Sequence, residues 1–119
     1  MKTKIQILEE TFNYYNEDPS RRAKSDGRCQ YLDGEGRMCA FGRCEINPPL
    51  TDGSSDAVVN RFDNEEDMNA SLKEEYRGHS IEFWVDVQDL HDEDCYWNDE
   101  SVSDYGVKRY QKLLQKWTH

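Results

Sequence analysis

The sequence predicts an α+β fold, a mainly helical single domain in which one short β-hairpin is packed by four or five helices. Glycine-containing turn signals lie between two short segments of alternating character at 28–41, which is typical of a hairpin. Apolar residues recur at spacings of three and four on both sides of that segment, as in amphipathic helices. The length of 119 residues suits one domain, 1–119.

The first helix is predicted at 3–17. Thr3 followed by Gln6 has the pattern of a capping box, in which each side chain bonds the other's backbone. Asp18 stands before Pro19 and should end the helix, because the residue before a proline avoids helical dihedral angles. The apolar face follows at helical spacing: Ile5, Leu8, Phe12 and Tyr15.

The hairpin is predicted at 28–41, with its turn within Asp33–Gly36. If the turn centres on Gly34, Cys29 lies opposite Cys39 in the neighbouring strand. This pairing depends on the register, since a shift of one residue would turn the side chains to the other face.

Four more helices are predicted after the hairpin. Ser80 is a suitable N-cap for the third of them, and Ser101 or Ser103 for the last. The third carries an apolar face, and the last ends in basic residues that suit the helix dipole. The predicted bounds are 56–62, 67–76, 81–93 and 103–117.

The charge balance bears on the class of partner. The chain has 25 acidic and 15 basic residues, and its formal net charge is −10. Nucleic-acid binding through phosphates needs clustered Lys and Arg, so direct nucleic-acid binding is not expected. No apolar run is long enough for a signal peptide or a membrane span, which favours a cytoplasmic protein with reduced cysteines and no membrane contact.

Carboxylates cluster on and after the predicted helix at 81–93. Spacings of four, three and four place four of them along one helical face, and no Lys or Arg lies between Gly78 and Val107. Such a run is usually a solvated face, and its alternative is a surface that docks on a basic partner. The candidate partner-binding residues are Glu82, Asp86, Asp89, Glu93, Asp94, Asp99 and Glu100.

Two alternatives remain open. A zinc-dependent or thiol-dependent enzyme would use Cys29 and Cys39 with His91, and Cys44 would complete a set of metal ligands. The Cys-x-x-Cys spacing of common zinc sites is missing, so no cofactor is expected. No oxyanion-hole or third-residue signal accompanies the thiols and His91, so no catalytic residue is expected either. The other alternative is a small-ligand binder, in which a basic cluster holds an anion: Arg21, Arg22 and Arg28.

The motifs resemble a family of small bacterial and phage proteins that has no assigned activity. Its members share Cys-x-Tyr, a glycine-containing turn and Gly-basic-x-Cys-Ala-x-Gly, which correspond here to Cys29–Tyr31 and Gly36–Gly42. A later Leu-His-Asp segment followed by a tryptophan corresponds to Leu90–Asp92 and Trp97. The resemblance implies the hairpin and the helical layout, and it implies no reaction.

The sequence and the resemblance together give a functional hypothesis. We expect a small acidic, non-enzymatic binding protein that docks on the basic surface of another protein. The phage members of the resembled family suggest an inhibitor of a host nucleic-acid enzyme that acts by nucleic-acid mimicry in the host cytoplasm.

Overall fold

The computed structural model of the chain describes residues 1–22, 24–25, 28–29, 35–48, 61–92, 94–98 and 100–118. Their architecture is helical. The α-helices within these residues are α1 (Lys4–Glu17), α2 (Glu65–Ser71), α3 (Ile81–Asp92) and α4 (Asp104–Lys116). Short 3₁₀ helices lie at Pro19–Arg21, Gly42–Cys44, Glu74–Tyr76 and Asp94–Tyr96.

The first helix begins where its capping residues place it. The Thr3 hydroxyl accepts a hydrogen bond from the Gln6 backbone N–H, and the Gln6 side chain accepts one from the Thr3 backbone N–H. α1 ends at Glu17, and Asp18 has an extended conformation before Pro19. The helix buries one face: Ile7, Leu8, Thr11 and Tyr15.

The predicted α+β class is wrong, because a β-hairpin at 28–41 is not the element around which the described residues pack. The described strands have two residues each, with β1 (Lys24–Ser25) antiparallel to β2 (Arg28–Cys29). Lys24 is the partner of Cys29 in that pair. Cys39 lies in irregular chain ahead of the 3₁₀ helix at Gly42–Cys44. Positions 30–34, which include half of the predicted turn, lie outside the described residues.

Side chains from two helices bond the backbone of the segment that was predicted as the second strand. The Tyr15 hydroxyl of α1 donates to the Met38 carbonyl at 2.6 Å. The Phe41 backbone N–H donates to Gln88 Oε1 of α3 at 3.0 Å. These helices therefore satisfy buried backbone groups that a strand ladder would otherwise have to pair.

The middle of the chain also departs from the prediction. The helix predicted at 67–76 is α2, which ends at Ser71 because Leu72 is extended and forms an isolated antiparallel bridge with Glu45. The Ile46 N–H donates to the Ser71 carbonyl at 3.0 Å in the same contact. The helix predicted at 56–62 lies outside the described residues apart from positions 61–62.

The helices α3 and α4 lie close to their predicted positions and pack with α1. Ser80 Oγ accepts from the Phe83 N–H at 3.1 Å, and Ser103 Oγ accepts from the Gly106 N–H at 3.2 Å. Phe12 of α1 stacks on Tyr110 of α4 with ring centroids 4.0 Å apart. The largest fully buried side chains are Trp84, Tyr15, Phe41 and Phe83.

Gly106 marks a close approach between α4 and the preceding segment. A Cβ at this position would lie 2.3 Å from the Tyr96 carbonyl oxygen and 2.4 Å from Val102 Cγ2. We expect Gly106→Ala to lower the free energy of unfolding by about 1–2 kcal/mol, because overpacking outweighs the better helix propensity of alanine. Urea unfolding measures the change, and Gln111→Ala on the exposed face of α4 is the control. A Gly106→Ala protein as stable as the parent would contradict this packing.

None of the described helices has the length and apolarity needed to cross a bilayer.

Candidate functional site

The acidic face of α3 is turned toward α4. Asp86 Oδ2 accepts hydrogen bonds from Lys116 Nζ at 2.7 Å and from Trp117 Nε1 at 3.0 Å. Arg109 Nη2 lies 3.6 Å from Asp86 Oδ1. The Asp86 side chain is only 12% exposed, so this carboxylate serves a contact between helices within the chain.

The neighbouring carboxylates of α3 share the same cations. Arg109 Nε lies 3.4 Å from Asp89 Oδ2, and Lys116 Nζ lies 3.3 Å from Glu82 Oε1. Arg109 and Lys116 are seven residues apart and therefore project from one side of α4. Glu82 is 71% exposed, whereas Asp89 is half-buried. The structure thus brings Glu82, Asp86 and Asp89 together. Of these three carboxylates, Glu82 is the one that is mainly exposed to solvent.

The other predicted docking residues follow α3. Glu100 is exposed. Glu93, Asp99 and the side chain of Asp94 lie outside the described part of the chain.

A second group of carboxylates, which the sequence reasoning did not select, adjoins the start of α3. Glu65 Oε1 accepts a hydrogen bond from the Ile81 N–H at 3.2 Å, so the first turn of α2 meets the first turn of α3. All of the acidic side chains around this contact are exposed. We call four of them the acidic patch: Asp63, Glu65, Glu66 and Glu82.

The predicted basic cluster is divided between separate contacts. Arg21 donates to the Tyr14 carbonyl at 3.0 Å and pairs with Glu17 at 3.2 Å. Arg22 donates from Nε to the His91 carbonyl at 2.7 Å and from Nη2 to the Asp92 carbonyl, and it thereby bonds the last carbonyls of α3. The side chain of Arg28 lies outside the described part. Two of the three predicted anion-binding residues therefore serve the ends of helices.

The predicted thiol and metal residues are buried where the structure describes them. Cys39, Cys44 and His91 are each 0% exposed. His91 Nδ1 lies 2.6 Å from Asp92 Oδ1, and its ring packs edge-on against Tyr15. Among the described side chains, no three Cys, His, Asp or Glu are grouped to hold a metal ion. The side chain of Cys29 lies outside that set, so the zinc alternative stays a prediction.

Burial also limits what Cys44 can do. It raises the pKa of the Cys44 thiol to about 12. Because the thiolate is the nucleophile, the protonated thiol at neutral pH is a poor nucleophile. Cys44 is therefore a packing residue in this conformation.

Glu10 is the centre of a polar network that the sequence analysis missed. Its carboxylate accepts hydrogen bonds from Lys2 Nζ, from the Tyr76 hydroxyl, and from Arg43 Nη1 at 2.5 Å. Partial burial alone would raise the pKa of Glu10, but these three donors outweigh it and lower the pKa to about 2. The network joins α1 to the segments around Arg43 and Tyr76.

Glu45 forms a second internal ion pair. Arg61 donates to both of its carboxylate oxygens, at 2.6 and 2.7 Å, and the Glu45 side chain is 1% exposed. Burial raises the pKa of Glu45 despite this guanidinium. The sequence signal for both networks is weak. Arg43 interrupts the buried run Cys39–Cys44, and a buried cation needs a carboxylate partner. Nothing in the neighbouring sequence indicates which carboxylate that is.

Comparison of the chain with known protein families, with curated proteins and with solved structures gives no match. The resemblance carried by Cys29–Tyr31, Gly36–Gly42 and Leu90–Asp92 therefore stays a prediction. Function has to be inferred from the charges and the geometry of the chain itself.

Proposed function

We propose that this chain is a small acidic binding protein that docks on the basic surface of a partner protein. The main observation in support is how the described residues use their charges. The chain carries a formal net charge of −10, and much of its basic complement lies in contacts within the chain. In the part of the chain that the structure describes, exposed carboxylates without a cation partner outnumber such cations, which favours basic partners.

Among the described residues, five cations pair with carboxylates that lie eight or more positions away along the chain. Lys2 and Arg43 pair with Glu10, and Arg61 pairs with Glu45. The remaining two are Arg109 and Lys116, which pair with the acidic face of α3. Cations held in this way contribute little positive potential to the surface.

The acidic patch is one part of the surface that carries this excess. Asp63, Glu65 and Glu66 form no ion pair with a described cation. Glu82 pairs with Lys116 at 3.3 Å, but its side chain is 71% exposed. Val85 lies one turn after Glu82 and is 38% exposed, so the patch adjoins an apolar side chain. Charged groups around an apolar contact are the usual arrangement of a protein interface.

The test is a pull-down with the immobilised chain from cell extract at about 50 mM and about 500 mM salt. We expect proteins with basic surfaces to be retained at low salt and released at high salt, since exposed charges are screened. The double variant Asp63→Lys, Glu66→Lys should reduce this retention by at least about tenfold.

The matched control is Glu9→Lys with Glu17→Lys, which makes the same change in net charge on α1. Both of these residues are exposed, and we expect the control to keep most of the retention. Equal losses in the two double variants would mean that net charge alone drives capture. That result, or binding that ignores both salt and the patch variant, would reject the proposed docking surface.

A further inference from the structure

The described residues also form a cleft of about 530 Å³ on a different part of the molecule. The start of α1, the segment Arg77–His79 and the C-terminal end of α4 build its walls. Hydrogen bonds hold the first two together, because His79 Nε2 lies 2.9 Å from the Lys2 carbonyl. The Lys2 N–H also donates to the carbonyl of Glu75, two positions before Arg77, at 2.7 Å.

The lining of this cleft has an unusual charge for this chain. Its described side chains include Lys2, Lys4, Arg77 and His79, and none of them is a carboxylate. The chain as a whole has 25 acidic and 15 basic residues. A basic hollow in an acidic protein is therefore contrary to what composition alone would produce.

Two of these cations have no carboxylate partner among the described residues. Lys4 and Arg77 form no ion pair there, whereas Lys2 is held by Glu10. Arg77 donates from Nε to the Leu72 carbonyl at 2.9 Å, which fixes the base of its guanidinium. Its Nη atoms make no hydrogen bond with the described residues. A guanidinium held in this way presents two donors in the geometry that suits a phosphate or a carboxylate.

We propose that this cleft binds a small phosphate monoester. Lys4 and Arg77 would bind the phosphate oxygens, and the side chains of Ile5 and Trp117 in the same lining would contact the organic group. Lys4 Nζ lies 6.0 Å above the Trp117 ring, so the cationic and the aromatic parts of the lining are adjacent. Gly78 leaves room at the rim, because a Cβ there would meet no atom within 4 Å.

The probe is phenyl phosphate, titrated into isotope-labelled protein at constant ionic strength and followed by amide chemical shifts. We expect saturable shifts at Arg77, Gly78 and His79 with a dissociation constant on the order of 1 mM. The double variant Lys4→Gln, Arg77→Gln should weaken binding by at least about tenfold. Inorganic phosphate should bind more weakly than phenyl phosphate, since it lacks the apolar group.

The control variant is Lys108→Gln with Lys112→Gln, which removes the same charge from exposed positions of α4 outside the cleft lining. It should change the dissociation constant by less than about twofold. Equal weakening in both variants, shifts that map elsewhere, or no saturation up to about 20 mM would overturn the proposal. The cleft does not include the acidic patch, so this result is independent of the pull-down.

Discussion

Replacing Asp86 with alanine is expected to lower the free energy of unfolding by about 3 kcal/mol. The substitution removes the acceptor of both Lys116 Nζ and Trp117 Nε1, and it removes one of the two described carboxylate partners of Arg109, the other being Asp89. Loss of Asp86 costs more than an exposed ion pair contributes, because the Trp117 indole and the partly buried Arg109 guanidinium lose an acceptor that lies between the helices. Urea or thermal unfolding followed by circular dichroism measures the change.

Glu82→Ala is the matched control for this prediction. Glu82 lies one turn earlier on α3 and contacts the same Lys116, but it is 71% exposed, so its loss should cost less than about 0.5 kcal/mol. A similar loss of unfolding free energy in the two variants would show that the position of Asp86 between the helices adds no stability beyond that of an exposed ion pair. The pair of variants also separates stability from docking, since Glu82 belongs to the acidic patch and Asp86 does not.

Local signals predicted several elements of the fold. Capping residues and helical periodicity placed α1, α3 and α4 within one or two residues of their bounds, because the physical cause of each helix lies within its own segment. The prediction of a β-hairpin was wrong for the opposite reason. Its backbone partners come from Tyr15 and Gln88, which are 23 and 47 positions from the residues they bond. Turn chemistry carries no information about such distant partners.

The candidate site shows the same limit. Spacing correctly indicated that Glu82, Asp86 and Asp89 share a face of α3, but spacing does not say what covers a face. The basic residues of the last helix indicated a complement to its dipole. Two of them, Arg109 and Lys116, also lie on one side of α4 and pair with the carboxylates of α3. The acidic patch escaped notice because its members come from two helices that meet through the Glu65–Ile81 hydrogen bond.

Replacing Glu10 with glutamine is expected to lower the free energy of unfolding at neutral pH by about 2–3 kcal/mol. Glutamine keeps the shape of the side chain, but it removes the charge that Lys2 and Arg43 bind and weakens the acceptor of the Tyr76 hydroxyl. The control is Glu9→Gln, since Glu9 is exposed and next to Glu10 in the same helix. It should change stability by less than about 0.5 kcal/mol.

The pH dependence gives this prediction a second readout. The folded-state pKa of Glu10 is about 2, below its ordinary value of 4.5, so its stabilising contribution is fully present above pH 4.5 and is lost as the pH falls toward 2. Other carboxylates also titrate in this window, and the informative quantity is therefore the difference between the parent and Glu10→Gln at each pH. That difference should stay constant from neutral pH to about pH 4.5 and then shrink as the pH falls toward 2, because protonated Glu10 and glutamine are both uncharged. A difference that stays constant down to pH 2 would mean that the charge of Glu10 does not hold α1 against Arg43 and Tyr76.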